Sequence, residues 1–354
     1  GYHPFGLSGP SGLSGPSGPT ASPLACPRLE CLPLGVDAAS FSPATEAERR
    51  DFRGELGIPV EATVFVIFAR ISHSSKLDPL PVLRAFQRLV AARPKGSARP
   101  PPCLAMACGL PVVASDFDGY RDLVVPGETG FLTPTLGPAD TPRLDALSPL
   151  LFDNHSHLIR AQQCMADVPA LARDMAVLAD DPGLRREMGR AGRRRVERHF
   201  SWEAVVTGHV ALWEELRRAP IPDRESLRGI VHPMHLPYGR VFGGHPSAAL
   251  DPAMPVVASR TGQAVYRGLD FPVIYPALES FIDLETIRQI LVLARNPLAA
   301  GELAAKLRTV QPDLDDEGAA MCLLWALKHD LLERVHETAG DAAPGGADHG
   351  TAAP

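Results

Sequence analysis

Long apolar runs, metal-type cysteine spacing and a strong charge of either sign are all missing from this chain. No stretch of about 18 consecutive apolar residues occurs, so no membrane-spanning helix is expected. The six cysteines (Cys26, Cys31, Cys103, Cys108, Cys164 and Cys322) include no CxxC pair, and no histidine stands at a zinc-like spacing from them. No metal site is therefore expected, and scattered thiols fit a reducing, cytoplasmic location. A net charge of −6 gives no whole-chain field that would draw nucleic acid. The start, GYHPF, has neither Met nor a charged-then-apolar leader, which is the expectation for a fragment.

What is present is an ordinary α/β composition, 45% hydrophobic and 21% charged, over a length that holds two or three domains. Its 36 prolines and 31 glycines crowd into the ends and joints. Residues 1–32 carry a twice-repeated GLSGPS, too short an array for a triple helix, and are expected to be low-complexity and disordered. Residues 33–218 read as one α/β domain, 219–281 as a Pro/Gly-rich linker, 282–336 as a winged-helix-like module and 337–354 as a disordered tail.

Within 33–218, Thr45 and Glu48 form a capping box that starts a helix, stopped by Gly57 and Pro59. Thr63–Ala69 is nearly all apolar, as in a buried parallel strand. Asp78 and Pro79 open a second helix with a stripe of Val82, Leu83, Phe86, Leu89 and Val90. In the segment CLAMACGLPVVASDFDGYRDLVVPGETGFLTP, a small-residue helix ends at Gly109 and a strand runs over Val112–Ser115. Turns follow at Gly119 and at Pro126–Gly127, with a short strand at Phe131. Further helices are expected from about Asp167, over Leu184–Arg198, and after Ser201. The last carries Trp202, Val205, Val206, His209, Leu212, Trp213 and Leu216 on one face, expected to pack a core with His209 as a packed side chain. Alternation of helix and apolar strand argues for a parallel sheet.

Chemistry is expected first at Arg70 and Lys76, just beyond the carboxyl end of the strand TVFVIFA, where open α/β sheets bind ligands. A guanidinium and an ammonium there can clamp a diphosphate, or they can be two solvated loop cations. GETG at Gly127–Gly130 lacks the Walker spacing and reads as a turn. The Arg-rich helix 185–198 reads as a solvated face, with an anionic membrane or nucleic-acid surface, or a protein partner, as the alternative.

These segments, in this order, resemble the nucleotide-sugar-binding half of family 4 retaining glycosyltransferases, which have the GT-B fold. The resemblance covers about Pro33–Arg218. It rests on Gly35, Val36, Asp37, Phe41 and Pro43, on FARISHSSK, on AMACGLPVVA, and on the closing LADDPGLRREMGRAGRRRVERHFSW. It implies a partial GT-B C-terminal Rossmann-like domain that takes a UDP-, GDP- or ADP-linked sugar and transfers the sugar to a hydroxyl acceptor. Arg70 and Lys76 would bind the donor diphosphate, with Ala69 where the family has Gly, and those two cations would serve in place of a metal or cofactor.

The chain also departs from the family. Only PKGSARPPP separates the helix ending near Arg93 from the AMA helix, so about two βαβ units, at about 30 residues each, are absent near 94–103. Leu104 stands where the family has an acidic residue, and the acceptor domain is missing. Two functions stay open: a transferase, or a non-catalytic binding scaffold that keeps half a donor site. DNA binding is disfavoured, because 282–336 holds nine acidic and six basic residues and its third helix opens with Asp315-Asp316-Glu317.

Overall fold

A computed structural model describes residues 32–66, 78–92, 97–98, 102–147, 150, 154–220, 239 and 242–335. Helix α1 (Glu46–Glu55) starts at the Thr45/Glu48 capping box, where each side chain caps the other's backbone. Strand β1 (Val64–Phe65) pairs in parallel with β2 (Ser97–Ala98), so the short stretch after α2 (Leu80–Ala92) contributes a strand of its own.

Helix α3 (Pro102–Ala107) leads through Gly109 to β3 (Val112–Ser115), which pairs in parallel with β4 (Gly130–Thr133) around the short α4 (Tyr120–Leu123). Gly109 has φ +68, and the Leu110 amide returns to the Ala105 carbonyl at 2.9 Å. This left-handed stop is one that glycine takes without penalty. Strand β3 is buried on both faces. Val113 joins the core of α2, α7 (Val168–Asp180) and α8 (Pro182–Arg195), while Val112 and Ala114 join that of α3 and the π-turn Val196–Phe200. Alternation with no polar face is what a parallel strand covered on both sides needs.

After β4 the chain makes an excursion: β5 (Thr135–Gly137), α5 (Pro142–Leu147), α6 (Asn154–Gln162) and β6 (Met165–Ala166), with β5 and β6 antiparallel. The return through α7, α8 and α9 (Trp202–Arg218) uses the side-chain caps Asp167, Asp181 and Ser201.

Beyond residue 242 come β7 (Ala248–Ala249), β8 (Pro255–Ala258), α10 (Arg260–Tyr266), α11 (Leu284–Leu293), β9 (Leu298–Ala299), α12 (Ala300–Val310), α13 (Asp316–Lys328) and β10 (Leu332–Arg334). The expected three helices and strand are present. Strand β8, from the stretch expected to be linker, is the central member of an antiparallel sheet ordered β10-β8-β9. Strand β7 adds in parallel to β5. The third helix of this part, α13, whose acidic start disfavours DNA, is buried at Ala319 and throughout Met321–Lys328.

Two expectations need correction. The buried face of α2 is Pro81, Ala85 and Leu89, with Val82 and Phe86 at its flank and Leu83 exposed; the helix is turned by about one position because it packs on α7. In α9 only Val205 is buried, while Trp202, Val206, Trp213 and Leu216 are more than half exposed. The apolar stripe exists, but among the described residues it finds almost nothing to pack against.

Candidate functional site

The carboxyl ends of β3 and β4 open toward residues 242–249, which reach back from the C-terminal part. Asp116, one residue past β3, accepts hydrogen bonds from Ser247 Oγ (2.6 Å, to Oδ2) and from Arg121 Nε (2.6 Å, to Oδ1). Burial works to raise its pKa, but the Ser247 hydroxyl and the Arg121 guanidinium outweigh it and hold the carboxyl below its ordinary value. Arg121 also donates to the Gly244 and His245 carbonyls, at 3.0 and 2.9 Å. Thr135 and Ser247 exchange amide-to-hydroxyl bonds of 2.9 and 2.8 Å. His245 stands edge-on to Phe117 and Phe242, with Nε2 3.6 Å from Asp118, a non-glycine residue at φ +47. Burial, which outweighs Asp118, pushes the imidazole pKa down, helped by Arg160 and Arg121. The crevice is thus lined by an acid, a guanidinium, two hydroxyls and an imidazole, and a segment of the same chain lies across it.

A second cluster surrounds Asp78 at the start of α2. Its Oδ1 accepts from the Leu80 amide at 3.1 Å and from the Tyr275 hydroxyl at 2.8 Å. Oδ2 faces His329 Nε2 at 3.1 Å and Lys328 Nζ at 3.4 Å. Burial alone would raise the carboxyl pKa, yet His329, Lys328 and Tyr275 together drive it far below the carboxylate range. Burial lowers the pKa of His329, and that of Lys328, while burial and then Asp78 raise that of Tyr275. His329 Nδ1 and Trp325 Nε1 are buried without a hydrogen-bond partner, their rings 4.0 Å apart.

Arg160 joins the two clusters. It is 6% exposed and donates to the Phe242 carbonyl and the Cys164 sulfur, both at 3.2 Å. Lys328 donates to the Ala161 carbonyl and Gln162 Oε1, both at 3.1 Å. Burial raises the Cys164 thiol pKa against the pull of Arg160 and Lys328. On the far side of α2, Arg88 grips Asp330 through Nε and Nη2 at 2.7–3.0 Å and reaches Glu333 at 2.6 Å. Arg84 pairs with Asp270 at 2.6 Å.

Arg70 and Lys76 lie outside the described residues, which resume at Asp78. Leu104 lies in α3. Gly127–Gly130 is a turn, closed by Gly127 N to Gly130 O at 2.9 Å with Gly127 at φ +78. His209 is half-buried, its Nδ1 2.9 Å from the Val205 carbonyl and its ring edge-on to Trp213. In the Arg-rich helix three arginines act structurally. Arg185 binds the carbonyls of Leu178 and Ala179. Arg193 binds those of Ala38, Phe41 and Ala107. Arg195 binds those of Asp122 and Leu123. Among the described residues no group of three or more His, Cys, Asp or Glu is placed to hold a metal ion.

Asp116, Ser247, His245, His329 and Lys328 went unrecognised in the sequence. Asp78 carried a signal as a helix opener, but its partners stand about 200 to 250 residues away.

Three solved structures, of two proteins, give the following similarities. Sucrose-phosphate synthase from Thermosynechococcus elongatus is 20% identical over 53% of this chain and 53% of its own, with a TM-score of 0.35. Anabaena HepE in complex with UDP is 17% identical over 52% of this chain and 56% of its own, with a TM-score of 0.33. The same protein with UDP and glucose is 16% identical over 52% and 55%, with a TM-score of 0.34. The chain spans about half the length of these proteins. No curated protein matches the sequence. Residues 77–142, which take in α2 and run to the start of α5, match the family described as Glycosyl transferases group 1, and this part of the chain is glycosyltransferase-like.

Proposed function

We propose that residues 33–218 are the donor-side half of a retaining GT-B glycosyltransferase, which binds a nucleotide-activated sugar. The observation that supports this most is the family match over 77–142, which falls on a parallel β3–β4 pair with its crevice at the strands' carboxyl ends. In this reading Arg70 and Lys76 neutralise the diphosphate as the bond from anomeric carbon to phosphate oxygen breaks. The sugar passes to an acceptor hydroxyl, whose proton leaves to a base that the retained segments do not supply. Residues 282–336, with β8 added, form a winged-helix-like module that serves contact rather than DNA reading. A cytoplasmic location is supported by the free thiols Cys108, Cys164 and Cys322. No helix among the described residues is long and apolar enough to cross a membrane.

The test is calorimetric titration with UDP-, GDP- and ADP-sugars, beside Arg70→Ala. Saturable binding of one donor that Arg70→Ala weakens by at least tenfold upholds the reading; absence of binding to all three leaves only ancestry. One observation favours the second reading, a non-catalytic scaffold: residues 242–249 already span the crevice through Ser247 and the two carbonyls held by Arg121. Donor binding without sugar transfer to any offered acceptor is the outcome that reading expects.

A further inference from the structure

Four arginines of the basic helix are left over from the structural work of the other three. Arg186, Arg190, Arg194 and Arg198 are all exposed, and no carboxylate is paired with any of them among the described residues. Arg186, Arg190 and Arg194 recur every four residues in α8, about 6 Å apart along the axis, on the side away from the buried Met188, Gly189 and Gly192. Arg198 follows in the π-turn, and Glu187 is the one acid within the same arc. Like charges at this spacing repel one another and weaken a helix, so the row is at odds with the helix's own stability. Glu197, the acid nearest its end, is taken by Arg193 at 2.6 Å.

Four residues beyond Arg198, α9 begins with the exposed apolar row. At 100° per residue, Trp202, Val206, Trp213 and Leu216 fall within one arc of the helix, and Glu203, Glu214 and Glu215 fall outside it. Trp202 is 54% exposed and Trp213 62%, whereas the chain's third tryptophan, Trp325, is fully buried.

We infer that the Arg186–Arg198 row and the exposed face of α9 together form a docking surface for an anionic lipid bilayer. Lipid phosphates supply the negative charge that the row lacks, and the headgroup boundary takes indole and leucine side chains from the neighbouring helix. Nucleic acid would satisfy the arginines but offers no apolar layer for Leu216 and Val206. A second copy of the chain would cover the apolar face but would bring the same basic row against itself.

The experiment is co-sedimentation of the full chain with vesicles of phosphatidylcholine alone and of phosphatidylcholine mixed with phosphatidylglycerol. Binding is expected only to the anionic vesicles and should fall as salt is added. Each arginine replaced by glutamine should weaken it roughly fivefold, up to the quadruple variant of Arg186, Arg190, Arg194 and Arg198. Trp213→Ser should reduce the blue shift of tryptophan fluorescence on vesicle addition. If the quadruple variant loses its circular-dichroism signature, Arg198→Gln alone serves. The inference is overturned by equal binding to neutral vesicles, by no binding, or by single-variant affinity equal to wild type. Tighter binding to DNA than to anionic vesicles would overturn it too, as would a dimer in which Trp213 is quenched.

Discussion

Helices α9 and α13 are both rich in apolar residues and both hold tryptophan, yet one is exposed along almost its whole length and the other is buried nearly throughout. In α9 one residue of 17 is buried; in α13 nine of 13 are. The difference lies in their surroundings. Helix α13 is enclosed by α11, α12, α6 and the strands β6 and β10, whereas α9 touches chiefly the π-turn and the segment after Leu32. An apolar stripe therefore states that a helix can bury a face, and the tertiary neighbourhood decides whether it does.

The sharpest way to break this comparison is to truncate the two tryptophans in parallel. Trp325→Ala should destabilise the C-terminal core by about 3–5 kcal/mol in urea unfolding, because its ring is fully enclosed. A change below about 1 kcal/mol would mean that the core collapses onto the gap. An intermediate effect should come from the polar end of α13. The pKa of buried His329 is depressed, so its contribution to stability is in place above the unfolded value near 6.5 and is lost as pH falls below it. That of Asp78, also depressed, is lost only below about pH 4. Wild-type stability should thus decline between about pH 7 and 5, by at most about 1.4 kcal/mol per pH unit, and His329→Gln should flatten that slope. An unchanged slope would assign it to another group. The smallest effect belongs to α9: Trp213→Ala should change stability by no more than about 0.5 kcal/mol. A larger loss would show that something covers that face in solution.

What was legible in the sequence was local. The Thr45/Glu48 box, the helix starts at Asp167 and Ser201, the stop at Gly109 and the turn at Gly127 each depend on residues within one helical turn. The strand at Val112–Ser115 was legible as a short apolar run, while its burial on both faces comes from the helices packed against it. The candidate site depends on distance. Ser247 meets Asp116 across 131 residues and His329 meets Asp78 across 251, and no periodicity reports such a meeting. The arginines were visible as a run, but whether each caps a carbonyl, as Arg193 and Arg195 do, or stands free is set by which strand ends pack below it.

The pairing of β7 with β5, and of α2 with the residues around Asp330, also sets a timetable for synthesis. Arg88 waits for a carboxylate 242 residues downstream, and Asp78 for partners as far as 251. At about 5–20 residues per second, a ribosome holds the sheet's carboxyl edge open for at least about six seconds after that edge has emerged. Through that interval the nascent chain presents Leu136 and Leu158 without the C-terminal core that later encloses them. A chaperone that covers this edge until residues 242–335 arrive should raise the yield of native protein more than one that binds only afterwards.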